Sequence, residues 1–253
     1  MGALVRFGAK TCDGGPHMGR TMMLDGIVRL LAILPPAATC ADYREAVVTM
    51  NALGKSTDSN RRESYRRLRE LYGLALDVAL FAAFRDLASA DPLSVPLLAF
   101  LVAWSRDPLL RATTPPVLAA VAGARVLKQD IDQALSTAFP GQYSLGCIAT
   151  ITRNAASSWT QSGHLAGHSA KIRVRVQARP AALALALLLG HVGGFHGQEL
   201  FRSPWCQLLD LSVEQARSLA AQAHREGFLD MRAIGSVVEI TFPRFRGLLE
   251  DLP

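Results

Sequence analysis

Arg61, Arg62, Arg66, Arg67 and Arg69 crowd one short stretch of the chain. Arg62, Arg66 and Arg69 follow i, i+4, i+7 spacing, which places them on one face of a helix. Like charges that close repel unless solvent or an anion screens them, and phosphates are suitable anions. A second group lies further on. Arg153, Asn154, Ser157, Ser158 and Gln161 would stand on the exposed side of a helix, and Lys171, Arg173 and Arg175 alternate along a strand-like run. Small polar and guanidinium side chains contact phosphates and base edges. Both groups therefore offer nucleic-acid binding. The competing reading of the first is a solvated face offset by Glu63 and Glu70; that of the second is a protein-interaction module.

Other chemistry finds less support. Gly54-Lys55-Ser56-Thr57 ends like a phosphate-binding loop, but Thr49 stands where its first glycine belongs and no strand precedes it. His191, His196 and Cys206 match no zinc spacing, so no metal is expected. No nucleophile elbow, paired carboxylates or His-Glu-x-x-His pattern occurs, and the acids, Asp210 and Asp230 among them, are dispersed. The expectation is a protein that is not an enzyme and carries no cofactor.

Composition agrees with a polyanionic partner. The chain has 253 residues, a formal net charge of +6 and 50% hydrophobic residues. That is enough for a large core and for one large domain or two to three small ones. The cationic excess is mostly arginine, the better residue for bidentate phosphate contact; Lys10, Lys55, Lys128 and Lys171 are the lysines. Cys12, Cys40, Cys147 and Cys206 form no Cys-x-x-Cys pair and read as thiols of a reducing cytoplasm. The longest apolar run, Ala181 to Leu189, is too short to span a bilayer and reads as a buried helix.

These groups are positioned by a mainly α chain with small β wings. Residues 1–20 read as a mobile N-terminal arm around Gly14-Gly15-Pro16. Residues 21–140 read as a helical bundle, broken at Pro35-Pro36, Asp91-Pro92, Asp107-Pro108 and Pro115-Pro116, with Asn60 and Glu63 as a capping box for the arginine helix. Residues 141–179 and 180–253 read as two winged-helix-like units. The first runs through Arg153, Gly163, Leu165, Val174 and Val176; the second through Arg217, Gly227, Leu229, Val238 and Ile240, each 64 positions later (217 − 153 = 64). Each outlines a helix, a glycine stop, a strand, a turn and a second strand, the second turn falling at Gly235-Ser236. In the first unit, period two sends Ile172, Val174 and Val176 to a core and Lys171, Arg173 and Arg175 to solvent. Ser203-Pro204 and Ser212 with Gln215 read as helix starts in the second. Its charges are mixed: Arg217 and Arg225 stand beside Glu214 and Glu226, and Glu239 replaces Arg175. That copy reads as structural or as a dimerisation element.

The order of these parts resembles a known group. A helix precedes Asn51-Ala-Leu-Gly-Lys-Ser-Thr and the arginine-rich helix; a bundle follows, then winged units ending in Glu-Gly-Phe-Leu before a β wing. Over roughly 23–242 this layout is similar to the BrxA-type proteins of BREX bacteriophage-exclusion systems. The resemblance implies a bacterial, cytoplasmic, non-enzymatic protein that binds duplex DNA and supports phage defence beside larger protein partners. Its carry-over reaches the arginine helix and the first winged unit only. A protein-interaction scaffold and an RNA-binding helical protein are the alternatives; a membrane partner is not expected, and self-association stays open.

Overall fold

The computed structural model describes residues 2–11, 14–234 and 237–250; Met1, Cys12 and the expected turn at Gly235-Ser236 lie outside them. Among the described residues the chain is mainly helical, with two small antiparallel sheets.

The first half holds α1 (Gly2–Phe7), α2 (Leu24–Ile33), α3 (Cys40–Arg44), α4 (Asp58–Tyr72), α5 (Ala79–Ala90) and α6 (Val95–Arg106). Helix α3 opens on a reciprocal capping box between Thr39 and Asp42 and continues as a π-helical turn over Glu45–Thr49. The arginine helix α4 starts three residues earlier than its sequence signature predicts (60 − 57 = 3). Thr57, in extended backbone, accepts from the Asn60 amide at 3.2 Å, which leaves Asn60 inside the helix.

Short helices α7 (Pro108–Ala112) and α8 (Thr114–Ala119) follow, then strand β1 (Arg125–Val126), α9 (Lys128–Ala138), α10 (Leu145–Gln161), β2 (Leu165–Ala166) and β3 (Lys171–Arg173). Strand β3 lies between the other two, pairing Arg125 with Ile172 and Leu165 with Arg173. One partner in this sheet, β1, comes from the N-terminal side of the expected division at 140/141. The last part contains α11 (Pro180–Val192), α12 (Pro204–Gln207), α13 (Val213–Arg225), the hairpin β4 (Asp230–Ile234) and β5 (Val237–Thr241), and α14 (Arg246–Leu249). The Ser212–Gln215 capping box opens α13, and Ser203 caps α12, as their sequence patterns predict.

Two helices are apolar around almost their whole circumference, the pattern of a helix surrounded by protein. In α6 every residue except Pro96 is buried, and in α11 every residue except His191. Helix α11 packs on α5, α6, α12 and α13, so it joins the first half to the last. Truncating one of its buried leucines to alanine costs roughly 2–5 kcal/mol. A single apolar cluster runs from Phe7 to Phe245.

The described residues of the N-terminal segment, expected as a mobile arm, pack onto the rest of the chain. Phe7 and His17 are fully buried, and α1 packs on α5 and α11. Charge and close approach hold it. The His17 amide and Nδ1 both meet Asp107 Oδ2, at 2.9 and 2.6 Å, and Gly15 passes so near that an added Cβ would lie 2.1 Å from Asp107 Oδ1.

The two stretches that the 64-residue offset relates end their long helices alike, with a hydrogen-bond pattern that also closes α11 at Gly193, Gly194 and Phe195. After α10, the amides of Ser162, Gly163 and His164 donate to the carbonyls of Ser158, Thr160 and Trp159; after α13, those of Glu226, Gly227 and Phe228 donate to Gln222, His224 and Ala223. Every donor and acceptor moves by 64 positions (227 − 163 = 64). Gly163 and Gly227 both take positive φ, +88° and +74°, the left-handed conformation that glycine supplies at a helix end.

Candidate nucleic-acid interface

Helix α10 carries no acidic residue, and Ser144 caps its start by accepting from the Cys147 amide at 3.3 Å. Its buried stripe includes Ile148, Ile151, Ala155 and Trp159. Two neighbouring faces flank that stripe. Arg153, Ser157 and Thr160 form one, and Asn154, Ser158 and Gln161 form the other, each at i, i+4, i+7.

The face of Arg153 and Ser157 borders a cleft of about 430 Å³. The β2–β3 hairpin closes it through His168, Ser169 and Lys171, and β1 and α9 contribute Arg125 and Lys128. Arg125, Lys128, Arg153 and Lys171 thus line one concavity to which no carboxylate contributes. Arg153 donates from Nη2 to Thr150 Oγ1 at 3.1 Å. Lys171 Nζ donates to Thr160 Oγ1 and Gly167 O at 3.0 and 2.8 Å, and partial burial pulls its pKa below the usual lysine range. A partly desolvated ammonium gains from a nearby anion. Lys128 is the exception: Asp132 lies 2.5 Å from its Nζ.

The second face of α10 is taken. Asn154 Nδ2 donates to His17 O at 2.9 Å. Gln161 Oε1 accepts from the Leu24 amide at 3.1 Å. Ser158 is fully buried, its Oγ accepting from the Met22 amide and meeting His17 Nε2, both at 2.8 Å. Ser158 and Asn154 are therefore corrected from exposed contacts to fastenings of the N-terminal segment. Ser158, His17 and Asp107 form a Ser–His–Asp line, but all three are completely buried, and a nucleophile closed to solvent meets no substrate. Its bonds tie the N-terminal segment to Asp107 and to α10.

Arg173 is the larger correction. It is 4% exposed, not on the solvent side of its strand, while Val174 is 39% exposed. The reason is Asp210, an unusual aspartate at φ +56°. Its Oδ1 takes Arg173 Nη2 and its Oδ2 accepts from the Val176 amide at 3.0 Å. Ion pairing buries Arg173 against the inside–outside pattern that hydrophobicity alone predicts. His164 adds a second tie, Nε2 meeting Leu208 O at 2.7 Å, and burial pushes its pKa down to about 4. Arg175, by contrast, is exposed as expected.

On α4 the acids neutralise much of the arginine cluster. Arg66 grips Glu63 through Nε and Nη2, and Arg67 reaches Glu63 and Glu70 at 2.8 and 3.0 Å. Arg62 pairs with Asp58 at 2.7 Å, and Arg61 donates to Lys55 O. Arg69 is exposed and forms no ion pair among the described residues. The structure thus brings Arg153, Ser157 and Lys171 together and leaves the α4 arginines outside that cleft. Arg125 and Lys128 were missed from the sequence; the available signal was the short β-prone Arg125-Val126-Leu127 after Gly123.

Among the described residues no group of three or more His, Cys, Asp or Glu side chains could hold a metal, and no helix is long and apolar enough to cross a membrane. No protein-family model matches the chain, and no curated protein matches its sequence.

Proposed function

We propose that the chain binds duplex DNA without catalysing a reaction on it, and that residues 114–176 work as a winged helix. The order helix, strand, helix, helix, strand, strand, with the third strand central in the sheet, supports that reading. Helix α10 then takes the place of a recognition helix and β2–β3 that of a wing. The observation that carries the proposal is the cleft between them, lined by four cationic side chains and no carboxylate. Phosphate contact by Arg125, Arg153 and Lys171 supplies affinity, and Ser157 stands within the same cleft to touch a base edge or sugar. Arg175 extends the basic surface. The resemblance to BrxA-type proteins supports a role for this binding in phage defence in a bacterial cytoplasm.

The test is binding of a fluorescent DNA duplex across a salt series, in competition with RNA. Affinity should fall steeply with salt, and duplex DNA should outcompete RNA. Affinity that barely changes with salt would remove the phosphate-contact reading.

A further inference from the structure

A second cationic cleft, of about 500 Å³, opens among α4, the loop that follows it and the end of α6. Its charged lining comprises Lys10, Arg66, Arg69, Glu70, Asp77 and Arg106. Two of these are already committed to each other's neighbours: Arg66 to Glu63, and Glu70 to Arg66 and Arg67.

Arg106 is the distinctive member. It closes α6 and is only 7% exposed. Its Nε donates to Glu70 O at 3.0 Å and its Nη1 to Gly8 O. Nη2 donates to no group among the described residues. Burial draws its pKa down to about 10 with no carboxylate to offset the shift. A buried guanidinium held only by backbone carbonyls is costly, and an anion reaching Nη2 would relieve it. Arg69, exposed on the same cleft, forms no ion pair among the described residues.

We propose that this cleft binds the phosphate group of a small phosphorylated ligand, received by Nη2 of Arg106 and by Arg69. Phosphate oxygens can accept from two guanidiniums at once. The volume of about 500 Å³ falls within the roughly 300–1,000 Å³ typical of small-ligand pockets.

The experiment is calorimetric titration of the full chain with inorganic phosphate and with a nucleoside monophosphate, each against chloride at matched ionic strength. Saturable binding of phosphate is expected. Arg69→Gln should weaken it about tenfold or more, as loss of a hydrogen bond to a charged group does, and Arg106→Gln should abolish it. Arg106→Gln can unfold because it is buried; the exposed Arg69→Gln reads binding alone. Tighter binding of the monophosphate identifies a phosphomonoester as the ligand, and equal binding identifies free phosphate. No binding of either anion, or binding that Arg69→Gln leaves unchanged, overturns the site. Arg153→Ala should weaken duplex DNA and leave phosphate affinity intact, so this proposal and the DNA-binding one fail separately. Equal loss of phosphate affinity in Arg153→Ala would also overturn it.

Discussion

Arg153 and Arg173 look alike in the sequence, and replacing each with alanine should give opposite results. Arg153 is exposed on α10 and lines the basic cleft. Of that cleft's four cations, Lys128 is held by Asp132, which leaves Arg125, Arg153 and Lys171 for phosphates. At roughly 0.9 per phosphate, three contacts give a log–log salt slope of about −2.7, so a fourfold rise in salt weakens duplex binding about 40-fold. Without Arg153 the slope becomes about −1.8 and the same rise costs about 12-fold. Fluorescence anisotropy over a salt series reads both values. Arg173→Ala should leave the slope of the folded protein unchanged. It instead strands a largely buried Asp210 carboxylate, which destabilises a fold by about 3–5 kcal/mol. A parental slope in Arg153→Ala, or a reduced slope in an Arg173→Ala protein that melts normally, would refute the assignment.

The other predictions concern the fastenings. His164 has an ordinary pKa of 6.5 that burial pushes down to about 4. Below pH 6.5 the unfolded chain takes up a proton that the folded chain refuses, so stability is complete above 6.5 and falls with pH. The loss at this group reaches about 2 kcal/mol by pH 5 and about 3 kcal/mol near pH 4. Urea melts should show His164→Gln with that much less difference between pH 7 and pH 5; an identical acid dependence would contradict a neutral buried imidazole. Gly15→Ala would put a methyl 2.1 Å from Asp107 Oδ1, a clash that costs about 1–3 kcal/mol when relieved by shifts. The Met22 amide, bound to Ser158 Oγ, should then exchange hydrogen faster, and unchanged protection would mean that the segment is held some other way.

What the sequence revealed follows from which forces are local. Helix periodicity, the Ser212–Gln215 box, the Ser203-Pro204 start and the glycine stops depend on near neighbours, and the structure contains them. The burial of Arg173 depends on Asp210, which is distant in sequence and shows no sign there of its left-handed backbone. The N-terminal segment misled for the same reason. Glycine and proline near Gly14-Gly15-Pro16 resemble a mobile leader, yet Gly15 is small so that the chain can approach Asp107 closely. In the arginine helix the acids that pair with Arg62, Arg66 and Arg67 were visible as i, i+3 and i, i+4 neighbours, whereas the isolation of Arg106 depends on packing alone.

On the proposed reading, the two helix-and-hairpin units differ in what would let one bind DNA and the other not. Both units end their long helix with the same three hydrogen bonds, a glycine stop that α11 has too. They differ in what surrounds the hairpin. In the first, β1 adds a third strand and brings Arg125 to the cleft beside Arg153 and Lys171. In the second, the sheet has two strands, and Arg232 stands opposite Glu239 in register. Opposite charges in cross-strand positions attract each other, which lowers the gain from an outside anion. Helix α11, which opens that copy, is buried against α5 and α6, and Trp205 donates to Ser105 Oγ on α6 at 2.9 Å. The second copy is thus tied to the bundle, and through Asp210 and Leu208 it also grips Arg173 and His164 of the first. On this reading it braces the first copy, so that α10 and its hairpin meet a phosphate backbone as one rigid surface.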